Sequence, residues 1–251
     1  MILSTEKIRE TLEREGVKLN IACYDEIDST NNEAKRLGGA GAELPLLVTA
    51  DHQTAGRGRL GRSFYSPSGT GTYESIAFKV EGDLASAVTV TSAAAVAVCR
   101  SIKTLCGAEA EIKWVNDVYL NGGKVCGFLA ESFPVPGGTA VVVGVGINVT
   151  TERFPEDIAN RAASIGTEGI REELIGLVAA HILKLAGGEE FIEEYREKSM
   201  VIGKDITYGA VGEEPRPAKA LAIDDDGGLV IELPGGEVKT LKTGEISVRV
   251  R

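Results

Sequence analysis

The sequence is poor in the side chains that hold metals. It has only two histidines, and its four cysteines are spread along the chain with no C-x-x-C spacing. This pattern supports neither a zinc site nor a disulfide framework, so we expect reduced thiols and a cytoplasmic protein. The cysteines are Cys23, Cys99, Cys106 and Cys126.

The sequence also lacks long apolar runs and an excess of basic residues. Its first residues, MILSTEKIRE, become charged too soon for a signal peptide, and the longest apolar runs are shorter than a membrane span requires. With 27 Lys and Arg against 37 Asp and Glu, the formal net charge is −10. Such a charge opposes general attraction to nucleic acid or anionic lipid, so we expect neither a membrane nor a DNA partner.

Helical and strand patterns alternate along the chain and predict a larger mixed α/β domain followed by a small β domain. The alanine-rich residues 84–105 are apolar around much of the helical circumference, which indicates a buried helix. Thr30 followed by Glu33 predicts a capping box at a helix start. Short strand patterns separated by turns begin near residue 200, so we divide the chain into domains 1–199 and 200–251.

One stretch contradicts the acidic composition. Residues 53–72, QTAGRGRLGRSFYSPSGTGT, contain three arginines and five glycines but no acid. Glycine lets backbone N–H groups approach a ligand closely, and arginine offers paired donors to phosphate oxygens. The residues alone leave three readings open: a phosphate-binding loop, an RNA-binding Arg-Gly segment, or a solvated surface loop.

Two other glycine motifs fail the tests for phosphate binding. GVGINV at 144–149 lacks the third glycine of a dinucleotide fingerprint, and no convincing helix follows it. NGGKV at 121–125 lacks the glycine spacing of a P-loop and has Val125 in place of Ser or Thr.

A predicted hairpin collects a second group of polar residues. Asn121-Gly122 is a tight-turn pair that returns Lys124 toward Asn116 and Asp117. Strand alternation places Lys124 on the same face as residues 126 and 128, with residues 125, 127 and 129 on the other face. Gly127 within a strand indicates close approach of a ligand or another backbone. An exposed strand lysine is the alternative for Lys124, but its polar neighbours favour a site.

Six motifs together resemble the biotin protein ligases (biotin–[acetyl-CoA-carboxylase] ligases). They occur in that family's order and cover nearly the whole chain. The motifs are DSTN at 28–31, GRGRLGR at 56–62, KWVND at 113–117, KVCGFL at 124–129, GVGIN at 144–148 and GEISVR at 244–249. The resemblance implies an α+β fold. Its catalytic domain, 1–199, would bind biotin and ATP and have a mixed β-sheet flanked by helices, related to class II aminoacyl-tRNA synthetase cores. The resemblance also implies a C-terminal SH3-like β-barrel, 200–251.

The resemblance further implies an activity and partners. Biotin and ATP, with Mg²⁺, would give biotinyl-5′-AMP and pyrophosphate, and the biotinyl group would pass to a lysine of a carboxylase's biotin carboxyl carrier protein or domain. Family members often form homodimers by edge-strand pairing, so a homodimer is expected. The loop at 56–62 would close over biotin and the adenylate phosphate.

Residue roles follow from the same resemblance. Lys124 would bridge the biotin carboxylate and the α-phosphate as the main catalytic residue, together with Arg57, and Asp117 would contact Mg²⁺. The implied biotin-binding residues are Ser29, Thr30, Asn31, Gln53, Gly56, Arg57, Gly58, Arg59, Lys124 and Gly127. The implied nucleotide-binding residues are Arg57, Arg59, Arg62, Phe64, Trp114, Asn116, Asn148 and Arg249.

The sequence departs from the family pattern at three places. Val115 replaces the usual proline, and Phe64 stands where many members have tryptophan. Only about twenty residues precede the core, too few for the helix-turn-helix domain of bifunctional members, so we expect a ligase without repressor activity. A lipoate-type ligase shares the fold and the adenylate chemistry, but the GRGRLGR loop and the GEISVR segment favour biotin.

Overall fold

A seven-stranded mixed sheet forms the larger part of the molecule, as the family resemblance predicts. The computed structural model describes residues 3–79, 87–210, 213–242 and 246–250. The strand order is β1-β2-β3-β7-β6-β5-β4, with β1 and β2 parallel and the other neighbours antiparallel. The strands are β1 (Asn20–Ile27), β2 (Leu46–Gln53), β3 (Gly71–Lys79), β4 (Glu111–Lys113), β5 (Asp117–Leu120), β6 (Gly123–Val135) and β7 (Gly138–Asn148).

Helices cover both faces of this sheet because its central strands bury side chains on each side. Ile76 and Phe78 of β3 belong to a large core that includes α1, α3 and α4, whereas Ala77 packs on the opposite face, beneath α2. The helices are α1 (Thr5–Arg14), α2 (Thr30–Gly39), α3 (Ala87–Cys106), α4 (Arg171–Ala186) and α5 (Ile192–Glu197). The segment 54–70, which joins β2 to β3 and carries Arg57, Arg59 and Arg62, is called the basic loop, and it contains one 3₁₀ turn, Arg59–Gly61.

Helix α3 corrects the expectation that no segment is long and apolar enough to span a membrane. Residues Val88–Cys106 meet that criterion by length and composition, but 72% of the apolar window is buried inside the fold. The helix packs against α4 and the sheet, so it is the buried core helix that its alanine-rich composition predicts.

A second, antiparallel sheet follows in the order β11-β10-β9-β8-β12. Its strands are β8 (Asp205–Ala210), β9 (Arg216–Ile223), β10 (Leu229–Glu232), β11 (Val238–Leu241) and β12 (Ile246–Val250). The edge strands β11 and β12 do not pair with each other in the described part of the chain, so the sheet of the expected SH3-like domain is open there and no closed barrel is seen. The domain boundary at 199/200 stays a prediction.

The second sheet is joined to the rest of the molecule through specific hydrogen bonds from the β4–β5 segment and from α5. The indole N–H of Trp114 donates to the Gly227 carbonyl at 2.9 Å, and Arg196 Nε donates to the Ile223 carbonyl at 2.8 Å. Apolar residues of both sheets belong to one core. The KWVND segment therefore lies where the two sheets meet.

Candidate active site

A cavity of about 590 Å³ lies on the α2-facing side of the large sheet, between strands β6 and β7 and the basic loop. Its floor contains two glycines of β7, Gly144 and Gly146. A Cβ at Gly144 would overlap the Asn31 side chain, and a Cβ at Gly146 would fall 2.5 Å from the Phe64 ring. These glycines share one face because they are two residues apart in a strand. They make room for one side chain from α2 and one from the loop.

A polar network lines the cavity end near α2. Thr30 donates its backbone N–H to Gln53 Oε1 at 2.9 Å, and Gln53 Nε2 donates to Ser66 Oγ at 2.9 Å. Ser75 Oγ lies 2.8 Å from Thr30 Oγ1 and 2.6 Å from Asn31 Oδ1. Most of these groups are buried, so their orientations are fixed by hydrogen bonds within the protein.

The predicted capping box is wrong. Ser29, not Thr30, is the N-cap residue of α2, and its side chain makes no capping hydrogen bond. Thr30 Oγ1 lies 3.2 Å from Gln53 Oε1, and the Glu33 carboxylate accepts from Arg36 and Tyr24 instead of the helix end. Thr30 thus pairs with Gln53 of β2, and Glu33 pairs with Tyr24 of β1 and with Arg36 of its own helix, in place of the local cap.

The basic loop is folded back on itself as a small hairpin. Arg57 and Ser63 form an isolated antiparallel bridge, and the Gly58 N–H donates to the Arg62 carbonyl at 2.7 Å. Leu60 at the tip has φ of 61°, a left-handed conformation that is uncommon outside glycine. The loop thus presents its arginines along one side of the cavity.

The arginines of the loop have different environments. Arg57 is half-exposed and donates to Asn32 Oδ1 at 3.1 Å and to Glu131 Oε2 at 3.0 Å. Arg59 donates to Asn116 Oδ1, and burial lowers the pKa of its guanidinium from the ordinary value. Arginine still remains charged under all ordinary conditions, so Arg59 brings a fixed positive charge into a partly desolvated site.

Lys124 reaches the cavity because β6 contains a bulge. Val118 of β5 pairs with Cys126 of β6, but the next residue of β5, Tyr119, pairs with Lys124. Val125 is therefore the extra residue on β6. Val125 and Cys126 both belong to the core beneath α1, α3 and α4. Lys124 Nζ lies over Gly127 on the opposite side of the sheet, which faces the cavity. The predicted alternation is therefore wrong for Lys124 and Val125, because one extra residue in a bulge moves the preceding side chain to the other face.

Lys124 forms an ion pair across the hairpin. Its Nζ lies 2.6 Å from Asp117 Oδ1, and both side chains are less than a third exposed. Its backbone N–H donates to the Arg161 carbonyl at 2.7 Å, which fixes the strand against residues 158–163. The lysine is thus held in the cavity lining by both its main chain and its side chain.

The charge of the cavity is strongly positive. Among the described residues that line it, six carry Lys or Arg side chains and only one, Asp117, carries a carboxylate. No cluster of three or more His, Cys, Asp or Glu side chains occurs in the described residues. This lining suits an anionic ligand, and a divalent cation would need ligand oxygens in addition to Asp117.

The structure brings most of the proposed site residues together. Gly56 does not line the cavity: it is buried at the start of the loop, where a Cβ would meet the Phe64 carbonyl at 2.5 Å. The side chain of Arg249 lies outside the described residues. The residues that do line the cavity are Ser29, Thr30, Asn31, Gln53, Arg57, Gly58, Arg59, Arg62, Phe64, Trp114, Asn116, Asp117, Lys124, Gly127 and Asn148.

Several cavity residues were not identified from the sequence. Gly144 and Gly146 appeared only as part of a motif, although two glycines at strand spacing on one face are themselves a signal of close approach. Phe154, Ile158 and Arg161 line the opposite wall from an irregular segment between β7 and α4. No spacing rule locates such a segment.

Two family models match the chain. The Biotin/lipoate A/B protein ligase family model matches residues 24–148, and the Biotin protein ligase C terminal domain model matches residues 202–249. The first range contains the cavity floor, the loop and Lys124. The second range contains most of the small sheet.

Relatives and solved structures agree with these models. The chain is 31% identical to the bifunctional ligase/repressor BirA of Bacillus spizizenii, with 98% of this chain and 79% of the relative covered. It is 29% identical to the biotin–[acetyl-CoA-carboxylase] ligase of Mycobacterium tuberculosis, over 87% of this chain and 85% of that one. The Aquifex aeolicus biotin protein ligase, in complex with biotin and ATP, matches with a TM-score of 0.78 and 27% identity over 92% of this chain and 99% of its own. With sequence, fold and both family models in agreement, the chain belongs to the biotin protein ligase family.

Proposed function

We propose that this protein is an ATP-dependent, AMP-forming biotin–protein ligase. The observation that carries the proposal is that Lys124 and the loop arginines line one cavity. Among the described residues of that lining, Asp117 is the one with a carboxylate. The polar network around Thr30 and Asn31 offers hydrogen-bond donors and acceptors to the ureido ring of biotin. The basic side chains at the other end match the biotin carboxylate and the phosphates of ATP.

In the first step, a biotin carboxylate oxygen attacks the α-phosphorus of ATP. The bond to the bridging oxygen breaks, and pyrophosphate leaves with the electron pair. Because this attack brings two anions together, positive side chains held in place before the reaction lower its barrier. Lys124 Nζ would exchange its contact with Asp117 for the carboxylate and the α-phosphate, while Arg59 and Arg62 would hold phosphate oxygens.

In the second step, the neutral ε-amine of a lysine on a biotin carboxyl carrier protein or domain attacks the biotinyl carbonyl. AMP leaves, an amide bond forms, and the attacking nitrogen loses a proton. The mixed anhydride reacts with water, so the loop at 56–62 has to cover it until the carrier arrives. Phe64, seated over Gly146, would anchor the end of that cover.

The residues present fit a magnesium ion bound mainly through ATP. Mg²⁺ at nucleotide sites commonly takes one or two carboxylates together with substrate phosphate oxygens. Asp117 would supply that carboxylate, directly or through water, once Lys124 turns to the ligand. Bound there, the ion would neutralise phosphate charge.

Four further properties belong to the same proposal. The four cysteines are free, which supports a reducing compartment such as the cytoplasm. Strand β1 lies at an edge of the large sheet and can pair with a second copy, which supports a homodimer. The acidic net charge supports a protein without a DNA partner. The acceptor is the carrier domain of a carboxylase.

The test is a pyrophosphate-release assay with biotin, lipoate or neither, combined with calorimetric titration of biotin, lipoate and a short RNA. We expect pyrophosphate only with biotin and ATP together, and binding of biotin alone among the three titrants. Pyrophosphate release with lipoate but not with biotin would assign the protein to the lipoate branch, and equal release with both would contradict selectivity for biotin. Binding of RNA without pyrophosphate release would contradict an enzyme.

A further inference from the structure

We infer that Glu131 is a positioning residue that joins the basic loop to the biotin-binding end of the cavity. This inference rests on the proposed function. Glu131 lies on β6, on the same sheet face as Gly127 and Leu129. A glutamate on a strand ordinarily points to solvent, but this side chain is only 22% exposed.

The Glu131 carboxylate accepts from three different side chains. Its Oε2 lies 3.0 Å from Asn31 Nδ2 and 3.0 Å from Arg57 Nη1, and its Oε1 lies 3.0 Å from Lys35 Nζ. Burial opposes its ionisation, but hydrogen bonds from Asn31 and Lys35 and the charge of Arg57 hold the pKa of Glu131 below its usual range. The group is therefore an anion in the working pH range.

An ionised carboxylate can only accept hydrogen bonds, so it decides the orientation of the Asn31 amide. Asn31 Nδ2 donates to Glu131 and to the Leu129 carbonyl at 3.2 Å, which leaves Oδ1 toward Ser75 and the cavity floor. With a neutral side chain at position 131, the amide would lose the charged acceptor that fixes this orientation.

The same carboxylate fixes one end of the loop. Arg57 lies at the base of the small hairpin, opposite Ser63, and its guanidinium contacts Glu131 and Asn32 rather than the cavity centre. The Glu131 carboxylate thus connects Arg57 of the loop to Asn31 of α2. The position of the loop and the shape of the cavity end near α2 therefore depend on each other. Glu131 acts through these residues and not on the reacting atoms.

The test compares Glu131→Gln with Glu33→Gln. Glu33 is also a buried carboxylate paired with an arginine, Arg36, but it lies on α2 away from the cavity lining. We expect Glu131→Gln to raise KM for biotin about tenfold, the loss of one charge-assisted contact, with kcat changed less than about threefold. Glu33→Gln leaves both kinetic constants at their wild-type values.

A second measurement needs no ligand. Trypsin cuts after Arg59 and Arg62, and we expect Glu131→Gln to speed this loop cleavage several-fold while Glu33→Gln does not. In an Arg57→Gln background, adding Glu131→Gln brings no further acceleration, because the contact is already lost. The Arg57→Gln variant alone tests the contact if Glu131→Gln does not fold.

Wild-type biotin affinity and wild-type cleavage rates in Glu131→Gln would overturn the inference. So would a fall in kcat and thermal stability with KM unchanged, which would make Glu131 purely structural. Failure of the wild-type protein to bind biotin would overturn the proposed function instead, and the cleavage comparison would still decide whether Glu131 holds the loop.

Discussion

The Phe64 ring lies directly over Gly146, so closely that a Cβ at position 146 would fall 2.5 Å from its Cε1 atom. The ring also meets Tyr73 edge-on, with centroids 6.4 Å apart. A loop residue is therefore seated in a space that only glycine leaves open in β7. This contact fixes the position of the basic loop above the cavity floor.

Gly146→Ala should displace Phe64 and loosen the loop. Overpacking of this kind costs about 1–3 kcal/mol, because neither the strand nor the ring can move freely. We expect a lower free energy of unfolding by urea and weaker biotin binding by calorimetry.

A double-mutant cycle separates this contact from a general effect on β7. In a Phe64→Ala background the added methyl has space, so Gly146→Ala should then cost little. Gly39→Ala is the matched control, since a Cβ there meets only ordinary contacts. An equal loss with and without the Phe64 ring would contradict the account.

Glu74 should make the protein less stable as the pH rises. It is completely buried on the face of β3 that carries Ile76 and packs against α1, α3 and α4. Neither of its carboxylate oxygens has a hydrogen-bond partner within the described residues. Burial raises the pKa of Glu74, and the nearby Thr72 hydroxyl lowers it by a smaller amount. The net result is a pKa of about 8 instead of 4.5. The favourable contribution of the neutral form is complete below pH 4.5 and is lost as the pH rises toward 8, at about 1.4 kcal/mol per pH unit.

The measurement is the free energy of urea unfolding at pH 5.5, 6.5 and 7.5. Glu74→Gln should remove this downward slope and be the more stable protein at pH 7.5. Glu33→Gln is the control: an Arg36 hydrogen bond lowers the pKa of Glu33, so its contribution is lost only as the pH falls below 4.5. A wild-type slope that survives in Glu74→Gln would show that Glu74 is not the titrating group.

Arg171 should be important for stability because it holds the end of the basic loop segment to α4. It lies 2.7 Å from Asp51 and donates to the Gly71 carbonyl at 2.8 Å, while Asp51 also accepts from Ser68 and Gly69. Arg171→Met would leave Asp51 nearly buried without its cation, at a cost of about 3 kcal/mol.

Arg14 provides the comparison. Arg14, at the end of α1, pairs with Glu173 of α4 at 2.5 Å, but both side chains are more than 40% exposed. Arg14→Met should therefore cost less than about 1 kcal/mol. Thermal unfolding of the two variants tests the contrast, and similar losses would show that burial does not decide the value of these pairs.

Most of the fold follows from the sequence, because strand alternation and apolar helices are local signals. The buried helix α3, the hairpin turn at Asn121-Gly122 and the break at residues 187–188 all occur where the pattern predicts them. The errors arise where tertiary contacts override a local rule. Thr30 binds Gln53 instead of capping α2, and the bulge in β6 turns Lys124 to the other face.

The site was only partly predictable for the same reason. Lys124 and the loop arginines were identified by motif, whereas Glu131 reads as an ordinary strand glutamate. Its three partners come from α2 and the loop, up to 100 residues away in sequence. Long-range contacts of this kind leave no spacing pattern in a single sequence.

The most direct test of the account is biotin-dependent pyrophosphate release by Lys124→Ala. Loss of one preorganised transition-state donor typically lowers the rate about 10²–10³-fold, and Lys124→Arg should restore only part of it. Lys184→Ala is the control. Lys184 forms a 2.7 Å ion pair with Glu15, and the exposure of this pair is similar to that of Lys124 and Asp117. The control pair lies on the opposite side of the sheet from the cavity. With melting temperatures matched, we predict wild-type release for Lys184→Ala and at most about a hundredth of it for Lys124→Ala. More than about a tenth of wild-type activity in Lys124→Ala, well above the loss expected for such a donor, would contradict the catalytic role of this lysine.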